Sequence, residues 1–462
     1  MRHKRCVTLI CFGLGLLYGV CGAQADNCPA VPRPAVDQPN IPGDVCIPTD
    51  FPHNKNPIVF FDDYSWRAFI ALVWPALNGQ RGVPDPAKHV GETGSPLVFE
   101  TYKADWEVFQ PKGEAPSPWE AFGGVAVNPC ASAVPAPGFN DLLLASLTKF
   151  GNLGEAGFGN LVGALVAQNK TYVRYLAAFN RAEFDKIVKQ KWFLRQNLRP
   201  GLTFDNGSVD IKTSWIDMTN VAHPERFYTR RAWLKDPKTE TCALTTVGLV
   251  GMHIVQKTAT RPQWIWSSFE HRDNVAQTDP DNIGPLTLNN GDPNQPMPAS
   301  NPVPFPPPET PPAPYNVVRV KPINPSTQTT NQNWRAALKG TVWENYELVM
   351  TQWPLAASQP QLPGSPANTF PGTIDQSTNF ANTTMETFEQ KSIGTGCMAC
   401  HNLAKAKADF LWALQVNAFP PPTSTLTASS PASARTTLNA VPSSDALRQL
   451  KAMLESAAGA PR

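Results

Sequence analysis

Residues 62–74 (DDYSWRAFIALVW) form an apolar run that Pro75 stops, which predicts a short buried helix. Residues 170–192 set Tyr172, Tyr175, Leu176, Phe179, Phe184 and Ile187 on one side at helical spacing and predict a second helix. The rhythm then shortens. Residues 208–218 (SVDIKTSWIDM), 245–257 (TTVGLVGMHIVQK) and 263–271 (QWIWSSFEH) alternate, are rich in β-branched and aromatic side chains, and are punctuated by Pro or Gly. They read as strands, as do 315–322 and 346–353. Helical spacing returns at 382–390, 402–416 and 445–455.

These elements predict an α+β fold: a β-rich N-terminal and central region with antiparallel strands, then a small helical region near the C-terminus. No internal repeat is visible. Residues 1–25 read as a leader and 26–275 as a mixed α/β region whose first part is Pro-rich. Residues 276–314, rich in Pro, Asn and Gly, form a linker or surface excursion. Residues 315–378 hold further strands, 379–418 a helical segment, 419–442 a low-complexity linker, and 443–462 a C-terminal helix. The 48 prolines imply short elements joined by long irregular connections.

The leader has secretory character. Arg2, Lys4 and Arg5 precede a glycine-interrupted apolar run over residues 7–20, and Ala23, Gln24 and Ala25 suit cleavage. The run is short for a membrane span, and no later stretch of eighteen or more apolar residues follows, so no stable membrane insertion is expected once the leader is removed. The expected location is the periplasm, or outside the cell. Loss of the leader removes three basic groups and no acidic one, taking the formal charge from +2 to −1. Such a chain gives no reason to expect nucleic-acid binding, which needs clustered positive charge. Beyond the leader the cysteines are Cys28, Cys46, Cys130, Cys242, Cys397 and Cys400. In an oxidising compartment the first four can pair in three ways. Cys28 with Cys46 and Cys130 with Cys242 is preferred, because the first closes a short local loop.

The strongest chemical signal is Cys397, Met398, Ala399, Cys400 and His401. Two thiols at this spacing can add across the two vinyl groups of a porphyrin, and the adjacent histidine then falls beneath the iron. From the chain's own Cys and His frequencies, about 0.003 such matches are expected by chance. Zinc would want a second ligand pair, and no partner CxxC or HxxxH is present. At this motif the chain resembles c-type cytochromes, in particular large single-haem proteins of exported type. The resemblance implies one covalent haem c, with Cys397 and Cys400 as thioether anchors and His401 as proximal ligand. It covers only residues 397–401 and the helix behind them. The small helical carriers place this motif near the N-terminus and a methionine ligand after it. Here Met453 lies downstream, on an amphipathic segment that suits a core position.

The candidates for the far side of the iron are His253 and His271, both on predicted strands, and Met385, twelve residues before Cys397. Each also has an ordinary structural reading. Lys257 and Arg261 are candidate partners for haem propionates. Three functions follow. In the first, a strong sixth ligand makes the protein a redox carrier for a periplasmic partner protein. In the second, an open position makes it an oxidoreductase acting on peroxide, oxygen or a small nitrogen compound. In the third, the large N-terminal region senses or binds a ligand and the haem reports it.

Overall fold

A computed structural model describes residues 47–48, 50, 58–122, 128–144, 164–236, 239, 241–276, 284–292, 310–314, 316–353, 381–390, 397–401 and 404–420. The expected leader, Cys28, Cys46, the linker 419–442 beyond residue 420, the helix 443–462 and Met453 lie outside the described residues. The helices are α1 (Ile58–Leu72), α2 (Asp105–Val108), α3 (Arg181–Gln190), α4 (Pro325–Ala337), α5 (Cys397–His401), α6 (Lys405–Ala408) and α7 (Trp412–Asn417). The strands are β1 (Lys103–Ala104), β2 (Leu142–Leu144), β3 (Arg174–Phe179), β4 (Val209–Asp217), β5 (Thr229–Lys235), β6 (Cys242–Gln256), β7 (Ile265–His271) and β8 (Tyr346–Gln352). The protein is mixed α+β, as expected.

The described strands build one eight-stranded sheet in the order β1-β3-β4-β6-β5-β2, from which β7 and β8 branch at β6. Strand β6 causes the branch. It runs for 15 residues, longer than a usual strand, and one edge serves two partners. Cys242–Gly248 pair with β5, and Gly251–Gln256 pair with β7. All pairings are antiparallel except that of β2 with β5. A disulfide joins Cys130 to Cys242 at the start of β6, the preferred pairing for these two cysteines.

Residues opposite each other in an antiparallel pair share a sheet face, so the register sorts the side chains. On one face Ser267 and Phe269 of β7 meet α1. Ser65 bonds the hydroxyls of Ser267 at 2.7 Å and Thr351 at 2.8 Å, and the Trp66 ring lies 5.1 Å from Phe269 and 5.9 Å from Trp334. This is the main aromatic core. The opposite face carries residues 381–390. Tyr175 donates to the Thr384 carbonyl at 2.7 Å, Ser214 and Thr384 share a hydroxyl bond at 2.7 Å, and Asn382 donates to Ser268 at 3.1 Å. Gly251 permits this approach, because a Cβ there would collide with Thr384 and Ser214.

Strands β4, β6, β7 and β8 fall where alternation placed them, and so does α1. Four expectations need correction. Residues 170–192 are not one helix: β3 pairs with β4, and Asn180 then caps α3 by accepting from Glu183 N at 3.0 Å. The aromatic spacing satisfied a helical period, but a good N-cap residue divides the run. Residues 382–390 form turns with a single 3₁₀ turn at Thr387–Glu389. Asn382, Thr383 and Thr384 spend their side chains on the sheet and on local backbone, as such residues do outside helices. Residues 316–322 form no strand; Val317 N donates instead to the Leu288 carbonyl at 2.8 Å. The helix expected over 402–416 breaks at Asp409, which separates α6 from α7. The sequence also gave no sign of β5 or α4. Strand β5 buries only Ala232, and α4 buries Thr327, Thr330, Asn331 and Trp334 rather than an apolar stripe.

Candidate functional site

Helix α5 lies at the end of the sheet where Gln256, Ile265 and Gln352 meet. Met398 is fully buried and its N–H donates to Gln352 Oε1 at 3.2 Å. Gln352 is the register partner of Trp266, and the Trp266 ring stands 4.3 Å from the His401 ring at 51°. His401 is therefore on the sheet face opposite α1. Its Nδ1 lies 2.7 Å from the carbonyl oxygen of Phe410. A carbonyl can only accept, so Nδ1 carries the proton, and in the neutral ring the lone pair sits on Nε2. The side chain of Cys400 lies outside the described residues.

The carbonyl that receives this proton belongs to an unusual corner. Asp409 and Phe410 are consecutive left-handed residues, with φ of 48° and 72°. Non-glycine residues avoid this region at a cost of about 1–2 kcal/mol each, so the corner must be held by its surroundings. The holding groups are visible. The Asp409 carboxylate accepts from Lys257 Nζ at 2.7 Å, Phe204 N at 2.8 Å and Thr203 Oγ1 at 3.2 Å. Its backbone carbonyl accepts the Trp264 indole N–H at 2.9 Å. Lys257 also donates to the Pro262 carbonyl at 2.7 Å. Burial pushes the Asp409 carboxyl up, against the pull of Lys257 and the three hydrogen bonds. Burial likewise pushes the Lys257 ammonium down, opposed by Asp409. Both shifts express the same cost of placing charge in an apolar setting.

Lys257, a candidate partner for propionates, is thus committed to Asp409. Arg261 is buried and donates to the Thr260 carbonyl at 2.9 Å. Nearby, Glu183 is also buried, and among the described residues neither carboxyl oxygen has a hydrogen-bond partner. Burial, and then the proximity of Asp210 and Asp409, drive its proton affinity well above the ordinary carboxyl range.

The three distal candidates fall in different places. His271 lies on the α1 face, away from His401. It is fully buried, with Nε2–H donating to the Arg226 carbonyl and Nδ1 accepting from Asp273 N, each at 3.0 Å. Phe227 stacks on it at 3.7 Å. Burial pushes its pKa down to about 4. Both nitrogens are therefore spent on folding. Met385 packs in a second apolar cluster with Tyr175, Ile216, Val250 and Phe388. Of the two histidines, His253 shares the face of Trp266 and His401. It pairs in register with Ser268, one diagonal step from Trp266. Its Nε2 lies 3.5 Å from Glu386 Oε2. Burial works against ionisation of Glu386, but His253, the Asn382 amide and Lys212 outweigh it and hold this carboxyl low.

The Asp409–Phe410 corner was invisible to sequence reasoning. Asp tolerates the left-handed region better than most residues, but in a helical run it gives no warning of it. Among the described residues no three His, Cys, Asp or Glu side chains are grouped to hold a metal ion. A haem would ask less of them: one imidazole with its tautomer fixed, and two thiols one helical turn apart. The arrangement around His401 meets the imidazole requirement. Among the described residues no helix is long and apolar enough to cross a membrane. No family model, curated protein or solved structure matches this chain.

Proposed function

We propose that the chain is an exported monohaem c-type cytochrome with a redox role. Cys397 and Cys400 anchor haem c, and His401 binds its iron. The observation that carries this reading is the bond from His401 Nδ1–H to the Phe410 carbonyl at 2.7 Å. Metal-binding histidines characteristically donate their second nitrogen to a carbonyl or carboxylate, which fixes the tautomer and raises the basicity of the ligating nitrogen. Here that pairing occurs at the histidine the motif singles out. When bound, haem supplies one-electron exchange at iron; the chain's part is to orient the imidazole and to wall it with Trp266. The partner is a periplasmic redox protein or a small-molecule substrate.

The test is expression with export and haem-attachment machinery, then denaturing electrophoresis with a haem stain and a pyridine haemochrome spectrum. Colour should stay with the denatured chain and vanish in the Cys397→Ala/Cys400→Ala variant. A colourless chain in a host that loads a control cytochrome overturns the proposal.

A second reading, an open iron position serving an oxidoreductase, draws support from the distal candidates. His271 uses both nitrogens in folding and Met385 packs in a core cluster. Carbon monoxide separates the readings. A reduced spectrum that shifts on its addition favours the open site. A spectrum that ignores it favours a saturated carrier, and the His253→Ala variant then identifies or dismisses His253 as sixth ligand.

A further inference from the structure

We infer that Asp409 is a positioning residue for His401, acting through the Phe410 carbonyl and locked by Lys257 and Trp264. The inference rests on the haem reading above and adds to it a set of residues that the motif does not contain.

The geometry runs in one chain. Lys257 Nζ, Phe204 N and Thr203 Oγ1 all bond the same carboxylate oxygen of Asp409, whose side chain is fully buried. Trp264 bonds the carbonyl of Asp409, the peptide that leads into Phe410. The side chain and backbone of one residue are therefore pinned separately, by partners on two different segments: Thr203 and Phe204 on one, and the turn carrying Lys257 and Trp264 on the other. The consequence is the left-handed pair at Asp409 and Phe410. In an unbroken helix the Phe410 carbonyl would be spent on the amide four residues further on. The corner turns it to His401 instead. Strained backbone persists where surrounding contacts over-determine it, and an observed outlier of this kind points to use rather than accident. Trp264 is itself left-handed, with φ of 71°, so both sides of the contact are held in uncommon conformations.

A positioned carbonyl does two things to an imidazole. It keeps the proton on Nδ1, and it strengthens electron donation from Nε2. Loosening the corner should weaken both. The variants are Trp264→Phe, which keeps the ring and loses only the N–H, Asp409→Asn, and Lys257→Met. Two measurements are made on the full chain. In haem-loaded protein, spectroelectrochemistry gives the midpoint potential. In chain produced without haem attachment, ¹⁵N shifts report the His401 tautomer. Wild type should show one tautomer, with the proton on Nδ1. Trp264→Phe and Asp409→Asn should mix the tautomers and raise the potential. The oxidised-to-reduced ratio at the wild-type midpoint should change by roughly threefold or more. Variants that carry covalent haem and keep both the wild-type potential and the tautomer overturn the inference and leave the haem reading standing. If wild type takes no covalent haem, that reading falls, and the ¹⁵N shifts alone decide whether Asp409 positions the ring.

Discussion

Stability between pH 7 and 4 should depend on His271. The ring is fully buried, stacks on Phe227 at 3.7 Å and uses both nitrogens as a neutral imidazole. Nδ1 accepts from Asp273 N, so protonating it would set an N–H against an N–H donor. Burial is the main force holding the folded pKa at about 4, against the ordinary value of 6.5. In the unfolded chain the ring binds a proton near 6.5; in the folded chain it stays neutral to about 4. Protons therefore favour the unfolded chain across this window. The contribution of His271 is complete above the upper value and drains away as pH falls towards the lower. At about 1.4 kcal/mol per pH unit, the gap is worth about 3 kcal/mol. The assay is urea unfolding at steps from pH 7.5 to 4.5, for wild type and His271→Gln. Glutamine can still donate to the Arg226 carbonyl but does not titrate, so the difference in slope isolates the histidine. Two curves that run parallel, or a His271 ring that titrates near 6.5 by NMR in folded protein, would refute the reasoning.

Asp62 should show the opposite slope. It is buried beneath Thr327 and Thr351, and desolvation raises its pKa to about 7 from an ordinary 3.8. The folded chain thus binds the proton more tightly, and stability drains as pH rises through this window; Asp62→Asn should remove the decline, worth up to about 4 kcal/mol by pH 8. Its absence from a wild-type minus Asp62→Asn comparison of urea midpoints would count against a buried neutral acid. Reduction of the Cys130–Cys242 bridge, or Cys130→Ser/Cys242→Ser, should cost about 2–5 kcal/mol in the same assay. Gly251→Ala should cost about 1–3 kcal/mol, because the added methyl meets Thr384 and Ser214. Amide exchange should then show residues 381–390 opening ahead of the sheet.

How much of this could be read from the sequence follows from where the information lies. Strands β4, β6, β7 and β8 were legible because each buries β-branched or aromatic residues between Pro and Gly punctuation. Strand β5 was not, since only Ala232 is buried and the pairing with β6 does the rest. Helix α4 was hidden because it contacts the core through Thr327, Thr330 and Asn331, residues that pattern reading assigns to solvent. The run at 170–192 misled because Tyr172, Tyr175, Leu176 and Phe179 also satisfy a helical period. Neighbouring strands, not local spacing, decide such a case.

The candidate site divides along the same line. Cys397, Cys400 and His401 are a local arrangement, complete within five residues, so sequence spacing suffices to find them. The Phe410 carbonyl is nine residues from His401, and its direction depends on Asp409. Asp409 in turn depends on Trp264, Lys257 and Phe204, which are 145, 152 and 205 positions away. No local pattern encodes a contact at that separation. The sheet brings those partners together: Lys257 directly follows β6, Trp264 directly precedes β7, and the turn between these strands presents both to the corner. On this view the large β-rich region is the frame that orients one imidazole, which, if His401 binds haem as proposed, is a reason for the motif to be built into a sheet protein of this size. Variants that relax the turn between β6 and β7 should therefore disturb His401 before they disturb the strands.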